Sequence, residues 1–259
     1  MYLSDSIILG AIQGVTEFLP VSSTAHTALF QNIFSLHYFG RNFDILLNLG
    51  TLLALVLYFF RDFLRIFFGG FNFICNKRSQ NRDFFLMILL ANLPTIILFG
   101  ILEFLEVKVT SAKLAAVNLV GFGIILYLCD QKPLNKKEFS LKDAMKVGTA
   151  QTLSFLPGVS RLGICLSMCR YLGYDRQKSF KFSMLLSIFP VTGACCLKLL
   201  KIFTKNTSVI SLIHVIAGIV SALVFGMVSV YIVDKFLKKH TFTPIVIYRI
   251  IFGIFIWFI

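Results

Sequence analysis

The chain has 259 residues, of which 57% are hydrophobic and only 14% charged, with a mean hydropathy of +0.83. That balance excludes a water-soluble globular domain. The formal net charge of +13 raises nucleic acid as a partner, but the cations lie in short runs between apolar blocks instead of on an aromatic-interleaved face, so no nucleic acid is expected.

Residues 6–19 form the first apolar stretch, which carries Gln13 and Glu17 and stops at Pro20. At 1.5 Å per residue it reaches only about 21 Å, short of a hydrocarbon core of about 30 Å, so a re-entrant helix is expected. No basic residue precedes Arg41, so no cleavable signal peptide is expected. Blocks at 43–60, 84–102 and 114–129 follow as expected spans. Residues 147–156, carrying Gln151 and stopping at Pro157 and Gly158, read as a second re-entrant helix, and 183–200, 209–233 and 244–259 as three further spans. Non-helical backbone at membrane depth is tolerated only inside protein or around a wet cavity, so the two breaks should be buried together.

Pro20 and Pro157 are 137 positions apart, and the same offset sets the span starting near Leu46 over the one starting near Ser183. The expected architecture is an all-α polytopic membrane protein forming a single membrane domain over residues 1–259. Its repeats cover about 5–129 and about 145–259. Each half would be a re-entrant helix hairpin plus three transmembrane helices, which gives an inverted topology and favours a site near the midplane.

The cations set the orientation. Arg61, Arg65, Lys77, Arg78 and Arg82 read as one loop, Lys132, Lys136, Lys137, Lys142 and Lys146 as another, and Arg170, Arg176, Lys178 and Lys181 as a third, joined by Lys235, Lys238 and Lys239. By the positive-inside rule this side is cytoplasmic. Arg41, Lys108, Lys113, Lys198, Lys201 and Lys205 fall opposite, with Glu103 and Glu106. The six cysteines show no paired metal-ligand spacing and read as free, buried thiols.

Chemistry concentrates in the run QGVTEFLPVSSTAH. Gln13 and Glu17 share one helix face. An ionised carboxylate within a membrane costs about 2.5–3.5 kcal/mol, so a cation, an arginine or a wet cavity must compensate it. Ser22, Ser23 and Thr24 open the next helix, where free amides favour a phosphate. Ser23 and His26 are three apart, a spacing that suits an imidazole managing a hydroxyl's proton. At the second break stands PGVSR, where Gly158 permits close backbone approach, Ser160 precedes the helix, and Arg161 offers a charged fork for phosphate oxygens. The plain alternatives are helix capping by the serines, a satisfied core histidine, and an Arg161–Glu17 ion pair with no ligand.

QGVTEFLPVSSTAH with PGVSR resembles the paired signature of the undecaprenyl-diphosphate phosphatase family, also called UppP or BacA. FDILLNLGTLLALVLYF, SFKFSMLLSIFPVTGA and FTPIVIYRIIFGI are similar to its later segments. The resemblance implies an inverted-repeat enzyme of the bacterial cytoplasmic (inner) membrane. Such an enzyme removes the terminal phosphate of a polyprenyl diphosphate and uses a divalent cation, Mg2+ or Ca2+. Carried over residue by residue, it makes Glu17, Ser23, His26 and Arg161 the expected catalytic residues, with Glu17 also holding the metal. Gln13, Ser22, Thr24, Gln151, Gly158 and Ser160 become substrate-binding. Leu162 and Cys165 stand where the family usually has serine and threonine, and Ala25 where glycine is common. Gln13 is an accepted variant of the first acidic position. The expected partners are the polyprenyl diphosphate and membrane lipids, and a homodimer is left open.

Two other functions fit the same pattern: a flippase or transporter of a phosphorylated polyprenyl lipid, since broken helices and a midplane anion site also describe carriers, and a lipid-binding homologue without turnover. Arg249, inside the last span, is expected to pair or snorkel, and His214 and Asp44 to sit at solvated span ends.

Overall fold

The computed structural model describes residues 2–37, 39–107, 109–135, 138–205 and 211–259, with backbone alone at 41–42, 198–199 and 201–205. Its elements are helices: α1 (Leu3–Glu17), α2 (Ser23–Ile33), α3 (Arg41–Tyr58), α4 (Phe60–Ile74), α5 (Gln80–Phe104), α6 (Ala112–Asp130), α7 (Leu141–Gln151), α8 (Arg161–Tyr171), α9 (Arg176–Lys205), α10 (Leu212–Phe236) and α11 (Thr243–Phe258), with a single 3-10 turn at Thr152–Phe155. The distribution of polarity is that of a protein dissolved in lipid. Val220, Val224, Val228 and Ile232 on α10 are exposed, whereas Gln13, Asn92, Gln151 and Arg249 are buried. In water such an apolar surface would drive aggregation, while acyl chains cover it without cost.

Among the described residues four helices, α5, α6, α10 and the 176–197 part of α9, are long and apolar enough to cross a membrane, and a fifth crossing arises if α3 and α4 count as one broken span. The protein is therefore a multi-pass membrane protein. Two expected spans come out differently. The block at 43–60 ends at a 95° bend, after which α4 departs at nearly a right angle to α3. Arg61 and Arg65 lie on α4, not in a loop, beside exposed Phe60, Phe67, Phe68 and Phe71. A helix of this mixed composition suits the headgroup boundary better than the hydrocarbon centre. The block at 244–259 forms α11, a shorter apolar helix. Cys75 and Cys196 are exposed, unlike the other free thiols, which are buried or partly so. Lys108, Lys136 and Lys137 lie outside the described residues.

Both interrupted stretches fold back as hairpins. At the open end of the first, the His37 backbone N–H donates to Asp5 Oδ2 at 3.0 Å, and the Tyr2 and His37 rings stack at 4.2 Å. At the open end of the second, the Tyr174 hydroxyl donates to Asp143 Oδ2 at 2.8 Å and the Phe139 and Tyr174 rings stack at 3.8 Å. Burial, and then the hydrogen bond to Asp143, push the Tyr174 phenol well above its ordinary range.

Helix α10 shows that the hairpins open at opposite ends of the molecule. Ser221 Oγ donates to the Ile7 carbonyl at 2.7 Å and Ser229 Oγ to the Val15 carbonyl at 2.9 Å, so α1 runs parallel to α10 and opens beside its amino end. A Cβ on Gly10 would lie 2.3 Å from the Gly218 carbonyl oxygen, so only glycine allows this approach. Small residues and interhelical hydroxyl bonds worth about 0.6 kcal/mol each are how lipid-bathed helices associate.

The second hairpin opens beside the carboxyl end of α10, around Asp130. That carboxylate accepts from Arg170 Nε at 2.8 Å, from Arg176 Nε at 2.9 Å and from the Phe242 backbone N–H at 3.2 Å, joining the ends of α6, α8, α9 and α11. Arg170 is buried in this cluster, not exposed in a loop as the charge count suggested. Lys181 pairs with Asp62 at 2.8 Å, which brings α4 to the same end.

Candidate active site

Each hairpin breaks at a serine held at positive φ. Ser22 has φ 70° and Ser160 φ 68°, and each immediately precedes the first helical residue of the returning arm, Ser23 or Arg161. Non-glycine residues rarely adopt this region, and such strain persists only where the surroundings enforce it. Ser160 Oγ accepts from the Gly163 N–H at 3.2 Å and caps α8. Ser22 Oγ lies 3.3 Å from Thr24 Oγ1. Gly158 is required on two counts, its φ of +85° and the 2.2 Å that would separate a Cβ from the Ala115 carbonyl oxygen.

One buried cation joins the two breaks. Arg249 on α11, 0% exposed, donates from Nη1 to the Pro20 carbonyl at 2.7 Å, from Nη2 to the Gly158 and Val159 carbonyls at 3.1 Å each, and from Nε to the Leu119 carbonyl on α6 at 3.1 Å. The expected structural role holds, with one correction: it does not snorkel, and its partners are backbone carbonyls, which it clamps together. The Pro20, Gly158 and Val159 carbonyls lie at the breaks, outside regular helix, whereas the Leu119 carbonyl is inside α6 and is shared with the guanidinium. Asn118 reinforces the second break by donating from Nδ2 to the Pro157 carbonyl at 2.8 Å.

Between the clamped tips the reactive groups converge. Arg161 Nη2 donates to Glu17 Oε1 across the two hairpins. Ser23 Oγ donates to Glu17 Oε2 at 2.7 Å, and Gln13 Nε2 donates to the same oxygen at 3.0 Å. The ion pair is not sealed off: the Glu17 and Arg161 side chains are 14% and 24% exposed. They face a pocket walled by Thr51 and Leu55 of α3 and by Ser183, Met184 and Ser187 of α9. The amino end of α8 opens at this pocket through Arg161 and Leu162, and Ser23 at the start of α2 is tied to it through Glu17.

Two expected site residues sit elsewhere. His26 is buried and stacked on Phe252 at 3.9 Å. Its Nδ1 lies 2.9 Å from the Ser22 carbonyl and its Nε2 2.7 Å from the Tyr248 hydroxyl. A carbonyl only accepts, so Nδ1 carries the proton and Nε2 of the neutral ring accepts from Tyr248. The structure thus joins Ser23 to Glu17, and His26 to α11. Gln151, 0% exposed, donates from Nε2 to Asn92 Oδ1 and Thr95 Oγ1, each at 3.0 Å, and accepts from Cys165 Sγ at 3.6 Å. It pins α7 to α5 and α8 and does not line the pocket.

Sequence reading missed Asn48, whose Oδ1 accepts from Gln13 Nε2 at 2.9 Å, and the hydroxyls of Thr51, Ser183 and Ser187 on the pocket wall. Asn48 and Thr51 sit inside an expected span as polar residues on one face, a signal that could have identified them.

For a cation, the donor set is poor. Among the described residues no three His, Cys, Asp or Glu side chains group as metal ligands. The one carboxylate at the pocket, Glu17, already accepts from a guanidinium, a hydroxyl and an amide. These residues do not fit a metal held by protein alone.

The comparisons with known proteins show the family. The chain is 36% identical over 252 residues, covering 95% of it and 94% of the relative, to an undecaprenyl-diphosphatase of Geobacter metallireducens. It is 34% identical to the undecaprenyl-diphosphatase of Desulforudis audaxviator over 96% of this chain and 95% of that one. It is also 34% identical to that of Saccharophagus degradans over 98% and 96%. The family model described as bacitracin resistance protein BacA matches residues 6–255, and the chain belongs to that family.

Proposed function

We infer that the chain is a membrane phosphatase that removes the terminal phosphate of undecaprenyl diphosphate and leaves undecaprenyl phosphate. The observation that carries this is the meeting of Ser23, Glu17 and Arg161 between the two hairpin tips. The relatives' shared name, undecaprenyl-diphosphatase, favours hydrolysis over the flippase reading.

The proposed mechanism uses groups already in contact. The diphosphate enters beside the amino ends of α2 and α8, and Arg161 turns from Glu17 to the terminal phosphate oxygens. Glu17, released from its counter-ion, becomes the stronger acceptor for the Ser23 proton. Ser23 Oγ attacks the terminal phosphorus, a new Oγ–P bond forms, and the P–O bond to the bridging oxygen breaks, so that undecaprenyl phosphate leaves. Water then hydrolyses the phosphoserine. Arg161 and the helix-end amides stabilise the charge that builds on the transferring group. A divalent cation, Mg2+ or Ca2+, is proposed to arrive on the diphosphate itself, and no step is assigned to it. His26 supports the α2–α11 contact.

The location proposed is the bacterial cytoplasmic membrane, with the Asp130 end facing the cytoplasm, because Arg176, Lys178, Lys181, Lys235 and Lys238 gather there. The two halves are proposed to be inverted repeats, supported by the opposed hairpins and their matching positive-φ serines. Phosphate release from undecaprenyl diphosphate by the purified chain, without any membrane gradient, tests the reading. Turnover supports the phosphatase, and binding without release would refute it.

A further inference from the structure

Gln13 is held from two sides. Its Nε2 gives one proton to Glu17 Oε2 at 3.0 Å and the other to Asn48 Oδ1 at 2.9 Å. Asn48 is itself oriented, since its Nδ2 donates to the Asp44 carbonyl at 3.1 Å. Both amides are thereby fixed in orientation, because an acceptor oxygen turned toward Glu17 would meet lone pairs with lone pairs. The result is a continuous chain between the α3 backbone and Glu17, the acceptor for Ser23, in which Gln13 donates to both sides and Asn48 donates on to the Asp44 carbonyl. Gln13 is 4% exposed, so a broken link would leave a buried polar group without water to replace it.

The same bonds bear on the cation. A carboxylate has about four lone-pair sites. On Glu17, Oε2 accepts from both Gln13 and Ser23, and Oε1 accepts from Arg161. The pocket pair of Glu17 and Arg161 carries no net charge, and a dication brought to the remaining lone pair would stand beside a permanent guanidinium. Where a second acid could have added charge, Gln13 supplies a neutral donor instead. Thr51, Ser183 and Ser187 add only neutral oxygens, too weak a set to hold Mg2+ without phosphate.

We propose that Asn48 is a positioning residue which, through Gln13, holds Glu17 as the acceptor for Ser23, and that the substrate-free pocket binds no divalent cation of its own. The inference rests on the phosphatase reading and goes beyond it. Phosphate oxygens of the bound diphosphate supply the negative charge that the protein withholds, and the cation is therefore loaded with the substrate and leaves with the product.

The test uses the purified full chain, with Mn2+ read by electron paramagnetic resonance and a lipid methylene-diphosphonate as the non-hydrolysable probe. The native chain is expected to leave the free-ion spectrum unchanged until the diphosphonate is added, then to bind one Mn2+. Gln13→Glu is expected to bind Mn2+ without it. Stoichiometric Mn2+ binding by the native chain alone, abolished in Glu17→Gln, would overturn the cation part. Asn48→Leu is expected to lower kcat about tenfold with KM within about twofold, and Asn48→Gln, which keeps an amide acceptor for Gln13 and an amide donor without adding charge, to recover most of it. A rise in KM with kcat unchanged, or equal losses in both variants, would overturn the positioning role. Failure of the phosphatase reading is distinct, since the native chain would then release no phosphate at all.

Discussion

The two hairpin tips are built alike and do different work. In each, a glutamine precedes the break, a serine at positive φ closes it, and the next residue opens the returning helix. Gln13 bonds to a carboxylate at a partly open pocket, whereas Gln151 bonds to Asn92 and Thr95 in a sealed interior. The first tip contributes Glu17 and Ser23, the second Arg161. One strained frame used twice therefore delivers opposite charges to a single point, and only the side chains on the frame decide which half does chemistry.

Removing the charge that the second tip delivers should have the largest effect. Arg161→Ala is expected to lower kcat for phosphate release by on the order of 10²–10³ while the protein still folds, since the guanidinium acts on charge that develops in the transition state. The clamp comes next. Arg249→Met leaves the three break carbonyls, of Pro20, Gly158 and Val159, without their donor, each costing about 1–3 kcal/mol, and a much lower thermal midpoint in detergent would show it. The two glutamines then separate the tips directly. Gln13→Leu should lower kcat about tenfold in addition to a stability loss of about 1–3 kcal/mol from the orphaned Asn48 oxygen. Gln151→Leu should lower stability by about 1–3 kcal/mol with kcat/KM within about twofold. Equal effects on activity would erase the distinction between the tips. The smallest change is expected from Cys165→Ser, which keeps a donor to Gln151 Oε1 and should move both readouts by less than about twofold or 1 kcal/mol.

Much of the fold was legible because lipid imposes simple arithmetic: helices must be long and apolar, and a proline beside buried polar residues marks a break. Helix α4 was not, because Arg61 and Arg65 read as part of a charged loop after the span, and the alternation of arginine and phenylalanine in FRDFLRIFF emerges only on a helical face. At the site, Glu17, Ser23 and Arg161 were legible as costly polar groups in short motifs. Arg249 was visible but its partners were not, since backbone carbonyls leave no trace in side-chain spacing. His26 was set beside Ser23 from local spacing, whereas its Nε2 bonds to Tyr248, which lies more than two hundred residues away in the chain and which no spacing could indicate. Leu162, at the place where the family usually has serine, lines the pocket with its apolar side chain, and neither its effect nor that of Ala25 follows from spacing.

Coupling between the tips is measured most directly by a double-mutant cycle on phosphate release from undecaprenyl diphosphate, with Glu17→Gln, Arg161→Ala and the pair. Groups that act as one unit lose activity together, so the double variant should fall within about threefold of the more impaired single one. Losses that multiply, as for two independent sites, would contradict the account.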